Sequence, residues 1–103
     1  MSQPIGFCVV YRWRLRDGHE ASFRKAWAVV TEAIAHKRGG LGSRLHRTDD
    51  GEWLAYAQWP DRETWERSQA AAPVAEEAFA TMRTAIAHAA DPVPLEPVED
   101  LLS

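Results

Sequence analysis

The chain is poor in cysteine, with Cys8 as its only thiol among 103 residues. One thiol excludes an internal disulfide and a cysteine cluster that could hold a metal. Cys8 lies in the apolar run Phe7-Cys8-Val9-Val10, so we expect a buried and unreactive side chain. With this length and 46% hydrophobic residues, residues 1–103 are predicted to form one globular domain.

Long apolar runs and an excess of positive charge are also missing. No hydrophobic stretch approaches the ~20 residues of a membrane-spanning helix, and the N-terminus does not resemble a signal peptide. We therefore expect a cytoplasmic protein with no membrane partner. Because 12 basic residues stand against 15 acidic ones, for a net charge of −3, nucleic acid is not expected as a partner either.

Signatures of metal, phosphate and nucleophile chemistry are absent from the sequence as well. None of the four histidines is paired at i, i+4 with a second histidine or with the cysteine. Gly39, Gly40 and Gly42 precede a predicted strand and not a helix, so they form no phosphate-binding loop. No Ser-His-Asp arrangement follows from the spacing. We expect no metal and no residues that bind a cofactor.

Tryptophan, in contrast, is abundant, with five residues in the chain. Its large ring system carries a single N–H donor, so tryptophan fills cores, lines pockets or anchors interfaces. This excess is the main compositional indication of a pocket, an interface or both.

Hydrophobic periodicity predicts strands and helices along most of the chain. The segment 41–59 is the most informative, because the turn-forming Asp49-Asp50-Gly51 joins two runs rich in β-forming residues. The predicted elements, in order, are a strand from about Ile5 to Leu15, a helix from about His19 to Lys37, the two strands of this hairpin, a short helix from Asp61 to about Ala70, and a helix from about Val74 to Ala89.

With a last strand, this order becomes β-α-β-β-α-β, the ferredoxin-like α+β fold with an antiparallel sheet. Three prolines in the segment 91–103 restrict any strand there to a sheet edge, so we predict an edge strand or an arm lying on a partner. Helices cover one face of such a sheet. The other face of the first strand carries apolar residues such as Val10, whose exposure favours burial between two subunits, so a homodimer is expected.

Three segments together resemble the antibiotic biosynthesis monooxygenase family of the dimeric α/β-barrel superfamily. They are Gly39-Gly40-Leu41-Gly42, the strand from Trp53 to Trp59-Pro60, and the helix start Glu63-Thr64-Trp65. The resemblance covers roughly Gly6 to Ala89 and rests on element order and hydrophobic pattern. It implies a ferredoxin-like chain that assembles as a dimeric α/β barrel. Members include cofactor-independent quinol oxygenases, haem-degrading enzymes and proteins without known activity.

The haem-degrading members provide a residue-level test of the resemblance. Their pattern has an asparagine in the first strand, a tryptophan early in the helix after the third strand, and a haem-binding histidine about three turns later. Trp65 matches the tryptophan, whereas Tyr11 and Ala75-Glu76 stand near the other two positions. Haem is therefore disfavoured as a ligand.

The resemblance implies a pocket in which a deprotonated phenol or quinol passes an electron to O2. Such a pocket needs aromatic walls, few polar groups and help with proton removal. We expect Trp65 and Tyr11 to orient the substrate, Trp27 to line the pocket, and Tyr56 or His46 to assist proton transfer. Each has a structural alternative: the aromatic side chains would be core residues, and His46 would lie on an exposed outer strand.

Two functions are compatible with these residues. The first is a cofactor-independent monooxygenase that acts on a hydrophobic aromatic small molecule of the quinol or phenol type. The alternative is a non-catalytic ligand-binding or stress-related protein that uses the same pocket. A purely structural use of the tryptophans, and an isomerase of a related barrel family, also remain open.

Overall fold

The computed structural model describes residues 6–102. In this range the sheet is antiparallel, with strand order β2-β3-β1-β4 and β5 paired to β1 as well. The predicted strand start at Ile5 lies outside the described residues. The elements are β1 (Phe7–Leu15), α1 (Glu20–Lys37), β2 (Gly42–Arg47), β3 (Trp53–Trp59), α2 (Arg62–Ala70), α3 (Glu76–Ala85), β4 (Ile86–Ala89) and β5 (Val93–Leu95). The predicted α+β fold with an antiparallel sheet is confirmed.

β1 is the central strand, because it pairs with β3 on one side and with both β4 and β5 on the other. Its side chains alternate between the two sheet faces. Phe7 and Val9 point to the face that the helices cover and are almost fully buried. On this face they meet Trp59 and Ala57, their partners on β3.

α1 supplies the main apolar surface that packs on the sheet. Its buried residues Phe23, Ala26 and Val30 follow the i, i+3, i+7 spacing of one helix face. Phe23 has no exposed surface, and its ring lies between those of Trp13 and Trp53, at centroid distances of 5.3 and 6.0 Å. Edge-to-face aromatic contacts of this kind add to the stabilisation from burial alone.

The last predicted helix is wrong in its C-terminal part. It ends at Ala85, and residues Ile86–Ala89 form β4. The segment is rich in alanine, whose helix propensity is high, but its backbone groups find partners on β1, where Ala89 lies opposite Trp13 and Ile86 opposite Leu15. This pairing outweighs the local preference. The predicted edge strand in the tail corresponds to β5, which includes Pro94.

All three helices of the described chain pack on the same sheet face, which we call the covered face. The opposite face, called here the open face, carries alternate residues of the three longer strands. They are Cys8, Val10 and Arg12 of β1, Leu54, Tyr56 and Gln58 of β3, and Arg44 and His46 of β2. Among residues 6–102, no helix has the length and apolar character needed to cross a membrane.

Candidate functional site

Tyr11 and Trp65 are brought together on the covered face. Side chains alternate along β1, and Tyr11 points towards the helices. Asp61 fixes the start of α2, because its side chain accepts a hydrogen bond from the backbone N–H of Thr64 at 2.7 Å. Trp65, in the first turn after this cap, donates its indole N–H to the Tyr11 hydroxyl at 2.9 Å. Two residues that we expected to orient a substrate are therefore hydrogen-bonded to each other across 54 positions of sequence.

The Tyr11 hydroxyl is held in its neutral form. Burial raises the pKa of Tyr11 above its ordinary value, and the hydrogen bond from Trp65 offsets only part of this effect. Within residues 6–102 the bond from Trp65 is the only side-chain hydrogen bond of this hydroxyl. The Tyr11 O–H proton consequently has no protein acceptor there and is available to an oxygen atom of a ligand. Tyr11 is thus a hydrogen-bond donor and not a base at neutral pH.

A cavity of about 460 Å³ lies between the sheet and the helices, within the range typical of small-molecule sites. Tyr11 and Trp27 both line it. Trp65 is not among its lining residues in the described part of the chain, and its link to the cavity is the bond to Tyr11. The apolar lining includes Trp13, Val30, Ile34, Phe79, Met82 and Ile86. An aromatic ring would find suitable walls in this cavity.

Small residues on β3 contribute to the space. Ala55 and Ala57 line the cavity, and they alternate on one strand face with the buried Trp53 and Trp59. Two methyl groups between two indole rings leave a hollow that the helices do not fill. The sequence pattern Trp-x-Ala-x-Ala-x-Trp is a signal for this hollow that the sequence analysis did not use.

The charged side chains that line the cavity, among the described residues, are Arg38 and Arg83. No aspartate, glutamate or histidine of this part of the chain lines it. Arg38 donates to the backbone carbonyl of Ala72 at 2.9 Å, and Arg83 stacks over the Phe79 ring at 5.4 Å. The cavity is therefore apolar and positively charged, and it contains no conventional general base. Sequence reasoning missed both arginines, because neither belongs to a motif or to the aromatic pattern that indicated a pocket.

Tyr56 and His46 lie on the open face and are not brought to the cavity. Tyr56 points to the opposite sheet face from its neighbours Ala55 and Ala57. Its hydroxyl is hydrogen-bonded to the Cys8 thiol at 3.0 Å. This bond raises the pKa of Tyr56 above its ordinary value, with burial as the next cause. His46 accepts a hydrogen bond from Arg44 at 3.1 Å on the exposed outer strand. Cys8 is buried, as expected.

The residues of the cavity do not fit a haem group. Haem iron in proteins is held by histidine, alone or together with a methionine, by a cysteine thiolate or by an ionised tyrosine. No histidine or cysteine lines the cavity within residues 6–102, and the raised pKa of Tyr11 opposes its ionisation. The same part of the chain contains no group of three or more metal-ligating residues.

The fold and the cavity agree with the result of a comparison with protein families. The sequence model of the family described as antibiotic biosynthesis monooxygenase matches residues 6–77. This match covers most of the chain, and the chain belongs to that family. A comparison with curated proteins found no match.

Solved structures with the same fold extend over the whole domain. SnoaB from Streptomyces nogalater, described as a cofactor-independent oxygenase, superposes with a TM-score of 0.77 at 18% identity, over 97% of this chain and 100% of SnoaB. Rv0793 from Mycobacterium tuberculosis gives 0.72 at 15% identity, over 93% and 98%. A protein of unknown function from Nitrosomonas europaea gives 0.73 at 12% identity, over 99% and 98%. At these identities the similarity shows the shared fold.

Proposed function

We propose that this protein is a cofactor-independent monooxygenase that oxidises a hydrophobic aromatic compound of the phenol or quinol type with O2. The observation that carries the proposal is the apolar cavity lined by Tyr11, whose hydroxyl is held by a hydrogen bond from Trp65. Membership of the family and the shared fold with the oxygenase SnoaB support it.

The chemistry would need little from the protein beyond binding and charge stabilisation. An ionised phenol passes one electron to O2, and the resulting radicals combine to a peroxide. Loss of water from the peroxide leaves a carbonyl, so that one oxygen atom enters the product and the other leaves as water. The electrons come from the substrate, and no separate reductant is required.

Three groups of the cavity would favour the ionised substrate. The Tyr11 hydroxyl would donate a hydrogen bond to the substrate oxygen and keep its proton. This preorganised donor would stabilise the negative charge that develops on that oxygen. The guanidinium groups of Arg38 and Arg83 would lower the pKa of a bound phenol, since a nearby positive charge stabilises the anion. Ionisation could then occur without a protein base. Proton transfer by Tyr56 or His46 has no support from the cavity, because both lie on the open face.

Oxygen uptake by chelator-treated protein, measured with naphthols, hydroquinones and anthrones, tests this proposal. We expect saturable uptake, and we expect Tyr11→Phe to lower kcat/KM by about 10- to 100-fold, because the variant loses the donor to the oxyanion and keeps the ring. Tyr56→Phe is the matched control, with the same atom removed on the open face, and should retain the wild-type rate. Equal uptake by Tyr11→Phe and the wild type would contradict the role of Tyr11.

A non-catalytic binding protein is the second candidate, and it is favoured because no carboxylate or imidazole of residues 6–102 lines the cavity. It predicts that the same aromatic compounds quench tryptophan fluorescence, because Trp13 and Trp27 line the cavity, while no oxygen is consumed. Quenching without uptake for every compound in the panel would replace the oxygenase proposal with this one.

We also propose that the protein is a homodimer in which the open faces of two copies meet. Val10, Leu54 and Tyr56 are only half-buried in a single chain, although they lie at the centre of the sheet. Light scattering at micromolar concentration should give the mass of a dimer, and a monomer mass would contradict this assembly. A cytoplasmic location remains a prediction that cell fractionation would check.

A further inference from the structure

Trp59, at the end of β3, carries a buried hydrogen-bond donor that the described chain does not use. The residue is 3% exposed, and it lines the cavity on the covered face. Its indole Nε1 is buried and has no hydrogen-bond partner within residues 6–102. A buried donor normally has an acceptor, and leaving it unpaired is costly. An oxygen atom of a bound ligand would satisfy the Trp59 N–H.

Arg38 brings a positive charge to the same end of the cavity. It directly follows α1, and its backbone N–H donates to the carbonyl of Ile34 at 2.8 Å. Two residues further on, Gly40 lies against the Trp59 ring, because a Cβ on Gly40 would be 3.6 Å from the Trp59 Cη2 atom. Arg38 and Trp59 both line the cavity, and this contact brings their backbones together where α1 ends. We call this part of the cavity the α1 end.

The Arg38 guanidinium has donors to spare. One of its nitrogens donates to the backbone carbonyl of Ala72 at 2.9 Å and so fixes the half-buried side chain, but a guanidinium carries five N–H groups. In the part of the chain that the structure describes, Arg38 forms no ion pair, and no carboxylate lines the cavity. A carboxylate on the ligand would supply the missing counter-charge through charge-assisted hydrogen bonds.

The hydroxyl of Tyr11 belongs to the same region of the covered face. Trp65, which donates to this hydroxyl, packs on Phe7 with ring centroids 5.6 Å apart. Phe7 lies opposite Trp59 on the neighbouring strand, and all four residues belong to one apolar cluster. The polar groups of Tyr11, Trp59 and Arg38 are therefore concentrated at one end of an otherwise apolar cavity.

Arg83 marks the other end of the cavity. It lies on α3, which leads directly into β4, and β4 pairs with the far end of β1 at Trp13–Leu15. Its side chain is exposed and stacks over the Phe79 ring. A carboxylate bound here would leave the Trp59 N–H without an acceptor, so the α1 end is the better site for an acid group.

We propose that Trp59 and Arg38 form a carboxylate-binding site at the α1 end of the cavity, and that the natural ligand is an aromatic acid that also carries a hydroxyl group. The Trp59 N–H and the Arg38 guanidinium each donate to the carboxylate, while the Tyr11 hydroxyl donates to the phenolic oxygen. This inference rests on the proposed function for the phenolic part of the ligand and adds the acid. Since the two donors come from different elements, they fix the orientation of the ligand as well as its affinity.

Calorimetric binding of naphthol and of hydroxynaphthoates, in the absence of O2, tests the proposal. The acids differ from naphthol by one carboxylate, placed on the same ring as the hydroxyl in one isomer and on the other ring in a second. We expect at least one acid to bind the wild type about tenfold more tightly than naphthol does. Trp59→Phe and Arg38→Gln should each weaken binding of that acid by about 5- to 10-fold and change naphthol binding by less than about twofold.

Two matched variants serve as controls. Trp53→Phe removes the indole of another buried tryptophan of β3, and Arg67→Gln removes a guanidinium from the exposed side of α2, where it pairs with Glu63. Neither residue is among those that line the cavity in the described chain, so both variants should bind the acid as the wild type does. Arg38→Gln alters a half-buried side chain outside the core, and it keeps the test open if Trp59→Phe does not fold.

Each outcome separates this inference from the proposed oxygenase. Equal affinity of the wild type for naphthol and for both acids would overturn the carboxylate site and leave the oxygenase standing. Weaker acid binding in Arg83→Gln, with none in Arg38→Gln, would move the acid group to the other end and overturn it as well. Acid binding that depends on Trp59 and Arg38, without oxygen uptake in the separate assay, would support the carboxylate site and contradict the oxygenase. If neither naphthol nor any acid binds, both are wrong.

Discussion

The two faces of one sheet differ in almost every property. On the covered face, Phe7 and Val9 are buried against α1 and α2, and an apolar cavity with a tyrosine donor lies beneath the helices. On the open face, Arg12, Arg44 and His46 alternate with Val10 and Leu54, and no helix of the described chain covers them. Consecutive residues of the same strand therefore have different surroundings: one set lies on the face that carries the apolar cavity, and the other lies on a face that no helix of residues 6–102 covers.

The largest effect should come from a substitution in the core beneath the covered face. Phe23→Ala is expected to lower the free energy of unfolding by about 3–5 kcal/mol, because it removes a fully buried ring and leaves a cavity. Urea unfolding at a fixed protein concentration measures the change. Val29→Ala on the exposed side of the same helix should change it by less than about 0.5 kcal/mol. A loss below about 1 kcal/mol for Phe23→Ala would show that the helices do not depend on this core.

A smaller effect is expected when the bond between Trp65 and Tyr11 is removed. Trp65→Phe keeps an aromatic ring and loses the indole N–H. Since that bond lowers the pKa of Tyr11 against the effect of burial, the pKa should rise further in the variant. Ultraviolet titration in a Tyr56→Phe background measures it directly, because the chain has two tyrosines and only Tyr11 then remains. An unchanged or lower pKa would mean that the bond does not act on the Tyr11 hydroxyl.

The smallest effect concerns the hairpin turn, where Asp50 forms an ion pair with Arg14 of β1. Asp50 accepts hydrogen bonds from Thr48 and Arg14, which lower its pKa from 3.8 to about 2. A lowered pKa in the folded state gives stability that is present above the ordinary value and lost as the pH falls towards about 2.

Asp50→Asn should therefore lower the stability slightly at neutral pH, where the ionised carboxylate contributes, and flatten the further loss across this acidic range. The urea midpoint, followed from neutral pH down through the two pKa values, measures it. Asp49→Asn is the control, because the Asp49 carboxylate makes no hydrogen bond in the described part of the chain. If both variants keep the wild-type acid dependence, the turn bonds do not contribute to it.

Periodicity was sufficient for most of the fold and insufficient for the site. The hydrophobic periodicity of residues 19–37 predicted α1, and the Asp49-Asp50-Gly51 turn predicted the hairpin, because both signals are local. Ile86–Ala89 was assigned wrongly, since its strand state depends on pairing with Trp13–Leu15 and not on its own residues. Pairing of this kind is a long-range property that local propensity does not encode.

The site was only partly predictable for the same reason. Tyr11 and Trp65 were selected through the family resemblance, and their hydrogen bond depends on the packing of α2 against β1. The alternation of β3 already separated Tyr56 from Ala55 and Ala57, so its distance from the cavity could be predicted. The positions of Arg38 and Arg83 at the cavity depend on where α1 ends and how α3 packs, and the sequence pattern contains neither.

The capping of α2 by Asp61 sets the direction of Trp65. An α-helix turns by about 100° per residue, so a start that is one residue earlier or later would point the indole away from β1. The bond between Asp61 and Thr64 lies on the surface and outside the cavity. By fixing where α2 begins, it sets the direction in which the Trp65 side chain leaves the helix towards Tyr11. Related chains could alter the orientation of their substrates by changing where this helix begins, with every residue of the cavity wall left in place.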